Sequence, residues 1–307
     1  MAFPYVQDLV RAATGLDIPL PLPTFGLCVL GAVLIGIAVS KVEVARLHRI
    51  GLLPLATRRV GKGAGRAAIA VLPQTVVIDF AMTVVLAGLV GARVFCIAET
   101  PREFFADPAG LIFSRQGFNF LGGLIFGIGA GIVYVRRHGL PLPVACDAFA
   151  PALMLAYGLG RIGCQLCGDG DWGIPANMAL KPAWLPTLLW AQTYDHNIVG
   201  EVIAPPGVYP TPLYEIVMSL AAFGLLWALR KHPFRPGWLF ALYLVLCGLE
   251  RLIIETIRVN SRVRVFGYDA TQAQIISVVL VLAGAAGLIT LQRRRSRVSW
   301  PDEQSRT

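Results

Sequence analysis

Long apolar runs alternate with short polar stretches along most of this chain. About seven of the runs, Thr24–Ser40, Thr75–Ile97, Asn119–Val135, Pro143–Gly163, Pro212–Leu229, Gly237–Ile257 and Thr271–Leu291, are long enough to cross roughly 30 Å of hydrocarbon at about 1.5 Å of helical rise per residue. The pattern predicts an all-α integral membrane protein with about seven transmembrane helices. Before the first run, Phe3, Val6, Leu9 and Val10 share one face of a short helix over Pro4–Ala13, so residues 1–23 read as an N-terminal interfacial segment. That segment has neither a basic leader nor a small-residue cleavage site, so no removable signal peptide is expected. Helices 1–4 then occupy 24–163 and helices 5–7 occupy 212–291. The stretch 164–211 between them, with its prolines, tryptophans and scattered polar residues, predicts a small ordered head region. Residues 292–307 form a basic tail. In the third run, Gly123, Gly127 and Gly131 recur every fourth residue, a pattern that lets helices pack closely.

Composition supports lipid as the solvent. Hydrophobic residues make up 56% of the 307 residues and charged residues only 15%; mean hydropathy is +0.65. A single soluble core cannot hide so much apolar surface. The net charge of +9 sits between the apolar runs, which fits topology signals and anionic lipid and argues against nucleic acid. Lys41, Arg46, Arg49, Arg58, Arg59, Lys62, Arg66, Arg136, Arg137, Arg230, Lys231, Arg235 and the arginines of the tail fall on one side. Far fewer fall on the other, so the N-terminus is expected outside and the C-terminus in the cytoplasm, with 164–211 extracytoplasmic. The 6 cysteines lie mostly inside apolar runs, as small hydrophobes rather than a disulfide framework.

Charges inside apolar spans are costly and mark pairs, wet cavities or function. Arg93, Arg161 and Arg251 are so placed, with Asp79, Glu99, Asp147, Glu215, Glu250 and Glu255. Gly160-Arg161-Ile162-Gly163 ends the fourth run, and Asp169-Gly170-Asp171-Trp172-Gly173 follows at once. Tyr214 and Glu215 open the fifth run, and Arg251, Glu255 and Arg258 share one helix face at the end of the sixth. By topology these segments, with Arg93, reach one depth near the outer-leaflet head groups. The planar guanidinium suits phosphate oxygens and stays charged when partly desolvated, so the set describes a phospholipid phosphate site. Glycines beside Arg161 leave room for a ligand to approach backbone. Asp169 and Asp171 could bind head-group hydroxyls or cap the loop turn. Arg258, grouped with the site, could equally meet only the membrane surface, like Arg262 and Arg264.

At these motifs the sequence resembles the prolipoprotein diacylglyceryl transferase family. The matching stretches are Pro23-Thr24-Phe25-Gly26-Leu27, Gly91-Ala92-Arg93-Val94-Phe95, Gly117-Phe118-Asn119-Phe120-Leu121-Gly122-Gly123-Leu124-Ile125, Gly158 to Gly163, Asp171-Trp172-Gly173, Tyr209 to Glu215 and Arg251-Leu252-Ile253-Ile254-Glu255. The resemblance implies an enzyme of the bacterial cytoplasmic (inner) membrane that begins lipoprotein maturation. It would move the diacylglyceryl group of phosphatidylglycerol to the lipobox cysteine in the signal peptide of a preprolipoprotein, releasing glycerol 1-phosphate. No cofactor or metal is implied. The partners are phosphatidylglycerol, the preprolipoprotein and membrane lipid. Arg161 and Arg251 would stabilise the leaving phosphate, with Glu255 orienting Arg251. Arg93, Asn119, Gly122, Gly123, Gly160, Gly163, Asp169, Asp171, Gly173, Tyr214, Glu215 and Arg258 would surround the substrate.

The chain departs from the family pattern at two positions. Leu121 stands where many members have histidine or tyrosine, and Cys164 where many have asparagine, so no base is assigned for the thiol proton. A non-catalytic phospholipid-binding paralogue and a proton-coupled transporter using Asp79, Asp147 and Glu215 are the rival readings; no inverted repeat supports the transporter. Cys164 and Cys167 form a C-x-x-C pair, either a redox couple or a coincidence of two apolar-run cysteines.

Overall fold

The computed structural model describes residues 2–19, 22–60, 67–113, 119–259, 262–265 and 268–293. Helix α1 (Val6–Thr14) comes first, with none of its residues buried. Its start is closed by Asp8, whose carboxylate accepts from the Tyr5 amide at 3.0 Å, and its end by Gly15 at φ 72°. The long helices follow: α2 (Thr24–Arg49), α3 (Val77–Glu99), the short α4 (Pro101–Ala106) and α5 (Pro108–Phe113), then α6 (Phe120–Arg137), α7 (Leu142–Cys167), α8 (Thr211–Leu229), α9 (Trp238–Glu255) and α10 (Gln272–Arg293). Setting aside α1, α4 and α5, seven long helices are present among the described residues, matching the apolar runs.

Six of these helical segments are long and apolar enough to cross a membrane; α9 is the seventh, interrupted by Glu250, Arg251 and Glu255. In five of the six, only 11–22% of the most apolar stretch is buried within the protein, against 50% in α7. Side chains such as Leu34, Val90 and Leu282 are more than half exposed. Apolar surface turned outward on this scale requires a lipid solvent. The protein is a multi-pass helical membrane protein.

Helix ends differ from the apolar runs for a simple reason. Polarity ends a hydropathic run, but only a breaker ends a helix. Residues Lys41–Arg49 contain no glycine or proline, so α2 continues through them and stops just before Gly51, at φ 78°. Likewise α7 runs on to Cys167 and meets Gly168, at φ 62°. Two antiparallel hairpins lie in connections that the sequence reads as polar turns. One pairs β1 (Ala56–Val60) with β2 (Ala67–Val71), Arg58 opposite Ile69; the other pairs β3 (Arg262–Val265) with β4 (Tyr268–Thr271), Arg264 opposite Asp269.

The chain forms two compact units, one within Met1–Val39 and Phe149–Trp300 and the other mainly Ser40–Ala148, with α2 and α7 lending residues to both. In the first, Met154, Leu226 and Leu239 form a buried core where α7, α8 and α9 meet. Gly248 and Gly284 let α9 and α10 approach: an added Cβ would lie 2.7 Å from the Ser277 carbonyl and 2.6 Å from the Ala241 carbonyl. The 168–210 segment packs Ala2, Trp172, Tyr194 and Val208 into one small core and Ala176, Ala191 and Tyr209 into another. The N-terminus is tied to it, the Ala2 amide donating to the Asp195 carbonyl at 2.7 Å. Burial pushes the Tyr194 phenol up, and it donates to Gln165 Oε1 at 2.9 Å. In the second unit α3 packs on α6 through the expected glycine stripe. Gly123 faces the Gly88 carbonyl, Gly127 faces Val84 and Gly131 faces Phe80. The closest approach is between Gly91 and Gly122, where a Cβ at Gly91 would lie 2.5 Å from the Gly122 carbonyl.

Candidate functional site

Gly158 sets the first element of the site. It sits where α7 meets α8, and a Cβ there would lie 3.2 Å from the Ser219 Cβ. This close crossing puts Tyr157 against Glu215, whose side chain is fully buried at 0% exposure; the Tyr157 hydroxyl donates to Glu215 Oε1 at 2.9 Å. One turn after Tyr157, Arg161 stacks over the tyrosine ring with its guanidinium carbon 5.1 Å from the centroid.

Glu215 is the hub of the charges. Its Oε1 lies 3.2 Å from Arg161 Nη2, 3.4 Å from Arg251 Nη1 and 3.8 Å from Arg258 Nη1. Asp171 binds both Arg161 and Arg258, so Glu215, Arg161, Asp171 and Arg258 close a ring. Arg251 also reaches Glu255 Oε2 one turn on at 3.3 Å, and Thr271 Oγ1 donates to Glu255 Oε1 at 2.6 Å. Backbone fixes the loop side. Gly173 bridges Arg258, and the Ile174 amide donates to the Ile257 carbonyl at 2.8 Å. A side chain at Gly173 would strike that carbonyl, its Cβ 2.5 Å away. Thr211 Oγ1 donates to the Asp171 carbonyl.

Among the residues singled out from the sequence, Arg161, Asp171, Gly173, Glu215, Arg251, Glu255 and Arg258 come together here. Several sit differently from expectation. Arg258 is not a membrane-surface residue: its side chain is only 10% exposed and is held by Asp171. Asp171 is engaged by two guanidiniums, those of Arg161 and Arg258. Asp169 does cap, accepting the Asp171 amide at 3.2 Å. Tyr214 donates to the Leu189 carbonyl at 2.8 Å and packs beside Ala176 and Tyr209. Gly163 serves packing on α2, where a Cβ would come 3.1 Å from Cys28 and Phe25, whereas a Cβ at Gly160 would meet nothing within 4 Å.

Arg93, Asn119, Gly122 and Gly123 belong to the other compact unit. There Asn119 caps α6, accepting the Gly122 amide at 3.1 Å, and donates to Glu99 Oε1 at 2.6 Å. Tyr157, Thr211 and Thr271 were missed by sequence reasoning. Only Tyr157 left a signal, its spacing four residues ahead of Arg161.

Cys164, Asp169 and Asp171 place their ligand atoms within 4.8 Å of one another, the one set among the described residues that could converge on a cation. Arg161 already donates to Cys164 Sγ at 3.6 Å, and both Asp171 partners are cations, so the donor set fits a guanidinium better than a metal. Cys164 and Cys167 are both buried free thiols.

Three guanidiniums held by carboxylates, partly desolvated and fixed in orientation, form an array suited to the oxygens of a phosphate ester. Fold and site together define a polytopic membrane protein with a preorganised cationic cluster where three span ends meet a folded loop. The sequence pattern of prolipoprotein diacylglyceryl transferase matches residues 12–290, and the chain belongs to that family. It is 28% identical over 285 residues to the phosphatidylglycerol–prolipoprotein diacylglyceryl transferase of Corynebacterium glutamicum, covering 87% of this chain and 78% of that one. It is 30% identical over 230 residues to the enzyme of that name from Staphylococcus carnosus, 74% and 78% covered. With the Leptospira interrogans enzyme it shares 27% over 249 residues, 66% and 74% covered.

Proposed function

We propose that this chain transfers the diacylglyceryl group of phosphatidylglycerol to the lipobox cysteine thiol of preprolipoproteins, releasing glycerol 1-phosphate. The observation that carries the reading is the ring of Arg161, Asp171, Arg258 and Glu215, extended by Arg251 and Glu255, in a member of this family.

The substrate's phosphodiester already bears one negative charge. When the thiol sulfur attacks the glyceryl carbon, the carbon–oxygen bond breaks and charge grows on the phosphate. Arg161 and Arg251 meet that charge as fixed cations, at no reorganisation cost during the step. Glu255, itself fixed by Thr271, holds the Arg251 fork in place, and Glu215 and Asp171 hold Arg161 and Arg258. Local positive charge also favours the thiolate form of the attacking cysteine. In this reading the protein lies in the bacterial cytoplasmic membrane with its N-terminus outside. Residues 164–211 form an extracytoplasmic head, and the basic tail 292–307 is cytoplasmic, as the distribution of basic residues favours.

The test is turnover. Purified protein receives phosphatidylglycerol and a short lipobox peptide, and glycerol phosphate release is followed against a Cys→Ser peptide. Cysteine-dependent release is expected. Phosphatidylglycerol binding without any release would replace the transferase with a lipid-binding paralogue.

A further inference from the structure

One acid of the helices at the cluster takes no part in its pairing. Glu250 precedes Arg251 on α9 and is 5% exposed, yet neither carboxylate oxygen has a hydrogen-bond partner among the described residues. It faces Arg161 of α7, Glu215 of α8 and Arg251 of α9 within electrostatic range, and also Tyr157, Tyr243 and Cys247. Where α10 packs on this stretch of α9, at Gly248, it presents Ser277 and Val281, neither of them charged.

Every neighbouring acid is committed. Asp171 holds Arg161 and Arg258, Glu215 holds three arginines and Tyr157, and Glu255 holds Arg251 and Thr271. The charges of Arg161, Arg251 and Arg258 are matched by these three, which leaves Glu250 with no arginine of its own; the remaining loop acid, Asp169, accepts the Asp171 amide at 3.2 Å. Burying such a group without partners is costly, and an apolar side chain of similar size would serve packing better. The histidines are occupied elsewhere or exposed. His48 contacts the Leu53 carbonyl at 2.8 Å, His138 the Tyr134 carbonyl at 2.8 Å and His232 the Phe234 amide at 3.2 Å, while His196 lies on the surface. Leu121 offers no proton acceptor at all.

From this geometry we infer that Glu250 accepts the proton of the attacking cysteine thiol, a role that rests on the transferase reading above. The balance is complete. The thiol proton passes to Glu250, the sulfur electron pair forms the new carbon–sulfur bond, and the carbon–oxygen bond electrons leave with glycerol 1-phosphate. Glu250 then returns its proton to the released phosphate monoester or to water. Proton uptake removes the negative charge of Glu250 beside Arg161 and Arg251 as charge grows on the leaving phosphate, so the cations are freed to meet it.

The experiment compares wild type with Glu250→Gln, using full-length protein in phosphatidylglycerol vesicles. Loss of a positioned base lowers kcat by about 10²–10⁴-fold. Glu250→Gln should show that loss with KM for phosphatidylglycerol unchanged. Its kcat should then climb tenfold per pH unit until the peptide thiol ionises, near pH 8.5 for a free cysteine, whereas wild type levels off at lower pH. A selenocysteine peptide, ionised below neutral pH, should restore the variant to near the wild-type rate, and Glu250→Asp should keep part of the plateau. A kcat within threefold of wild type, or a fallen kcat whose pH profile keeps the wild-type shape, overturns the inference. Should Glu250→Gln fail to fold, the wild-type profile decides alone: a kcat rising tenfold per unit up to thiol ionisation means that no base acts. Wild-type protein without turnover removes the transferase reading itself, whereas turnover indifferent to Glu250→Gln removes only this role.

Discussion

The contact of α3 with α6 and the contact of α7 with α8 and α9 are built from opposite materials. In the first, glycines bring two backbones together, with Gly91 and Gly122 against each other's turns and Gly123, Gly127 and Gly131 continuing the seam. In the second, Tyr157, Arg161, Glu215, Arg251, Glu255 and Arg258 meet as charges and hydrogen bonds. Lipid tails are as apolar as the helices, so a glycine seam works by close packing. A buried charge network is fully paired or it is costly. The difference separates a contact made by packing alone from one made by paired charges, which the proposed function uses. A seam of glycines does everything a helix contact needs, and three arginines do more than that.

The comparison is broken most severely at Arg161. Arg161→Ala should lower transfer by about 10³-fold, as removing a fixed donor to a developing anion does. Arg161→Lys should lose most of that activity as well, since a point charge cannot span Asp171, Glu215 and a phosphate together. Glycerol phosphate release measures both, and near-normal release by Arg161→Ala would remove the arginine from the site. Next is Glu215→Ala, which leaves three guanidiniums facing a gap. Breaking a buried pair typically costs about 3–5 kcal/mol, and unfolding in detergent should show destabilisation of that order. A melting transition within a degree of wild type would mean that the arginines find other partners.

These two regions also differ in how far the sequence discloses them. The helices follow from hydropathy, and the stripe of Gly123, Gly127 and Gly131 from its four-residue period. Arg251 and Glu255 are legible as neighbours because helical spacing fixes them, and they do meet at 3.3 Å. Asp171 was ambiguous because its partners, Arg161 and above all Arg258, depend on how a loop folds back over α9. Arg93 was grouped with Arg161 by depth along its span and Asn119 by the family resemblance, and neither signal gives the neighbours of a side chain around its helix. The hairpins were missed because Arg58 and Arg59 read as topology signals whether or not their backbone pairs. Glu250 was visible as a charge in a span, but only tertiary packing distinguishes a paired acid from an unpaired one.

The glycine seam yields smaller effects. Gly91→Ala would drive a methyl to 2.5 Å from the Gly122 carbonyl, where backbone must yield. Overpacking of this kind costs about 1–3 kcal/mol, and the loss should appear in the melting temperature. Gly127→Ala should be nearly silent, because its Cβ would sit 3.6 Å from Val84, an ordinary contact. Equal effects at the two positions would show that the helices respond to glycine content rather than to close approach.

A modest expected effect sharpens the comparison at a polar residue at one end of the seam. Asn119 has two separable duties. Its carbonyl oxygen caps α6 by accepting the Gly122 amide, and its amide donates to Glu99 at the end of α3. Losing a cap costs about 1 kcal/mol, so Asn119→Ala should destabilise by about that much, with a few tenths more from the exposed bond to Glu99. Asn119→Asp keeps the cap and favours the helix N-terminus electrostatically, but turns the Glu99 contact into carboxylate against carboxylate. A cap-dominated residue therefore predicts Asp close to wild type and Ala clearly below it. If instead Asp is as harmful as Ala, the link to Glu99 is what holds α3 and α6 in register at this end, and the seam depends on a polar contact as the arginine cluster does.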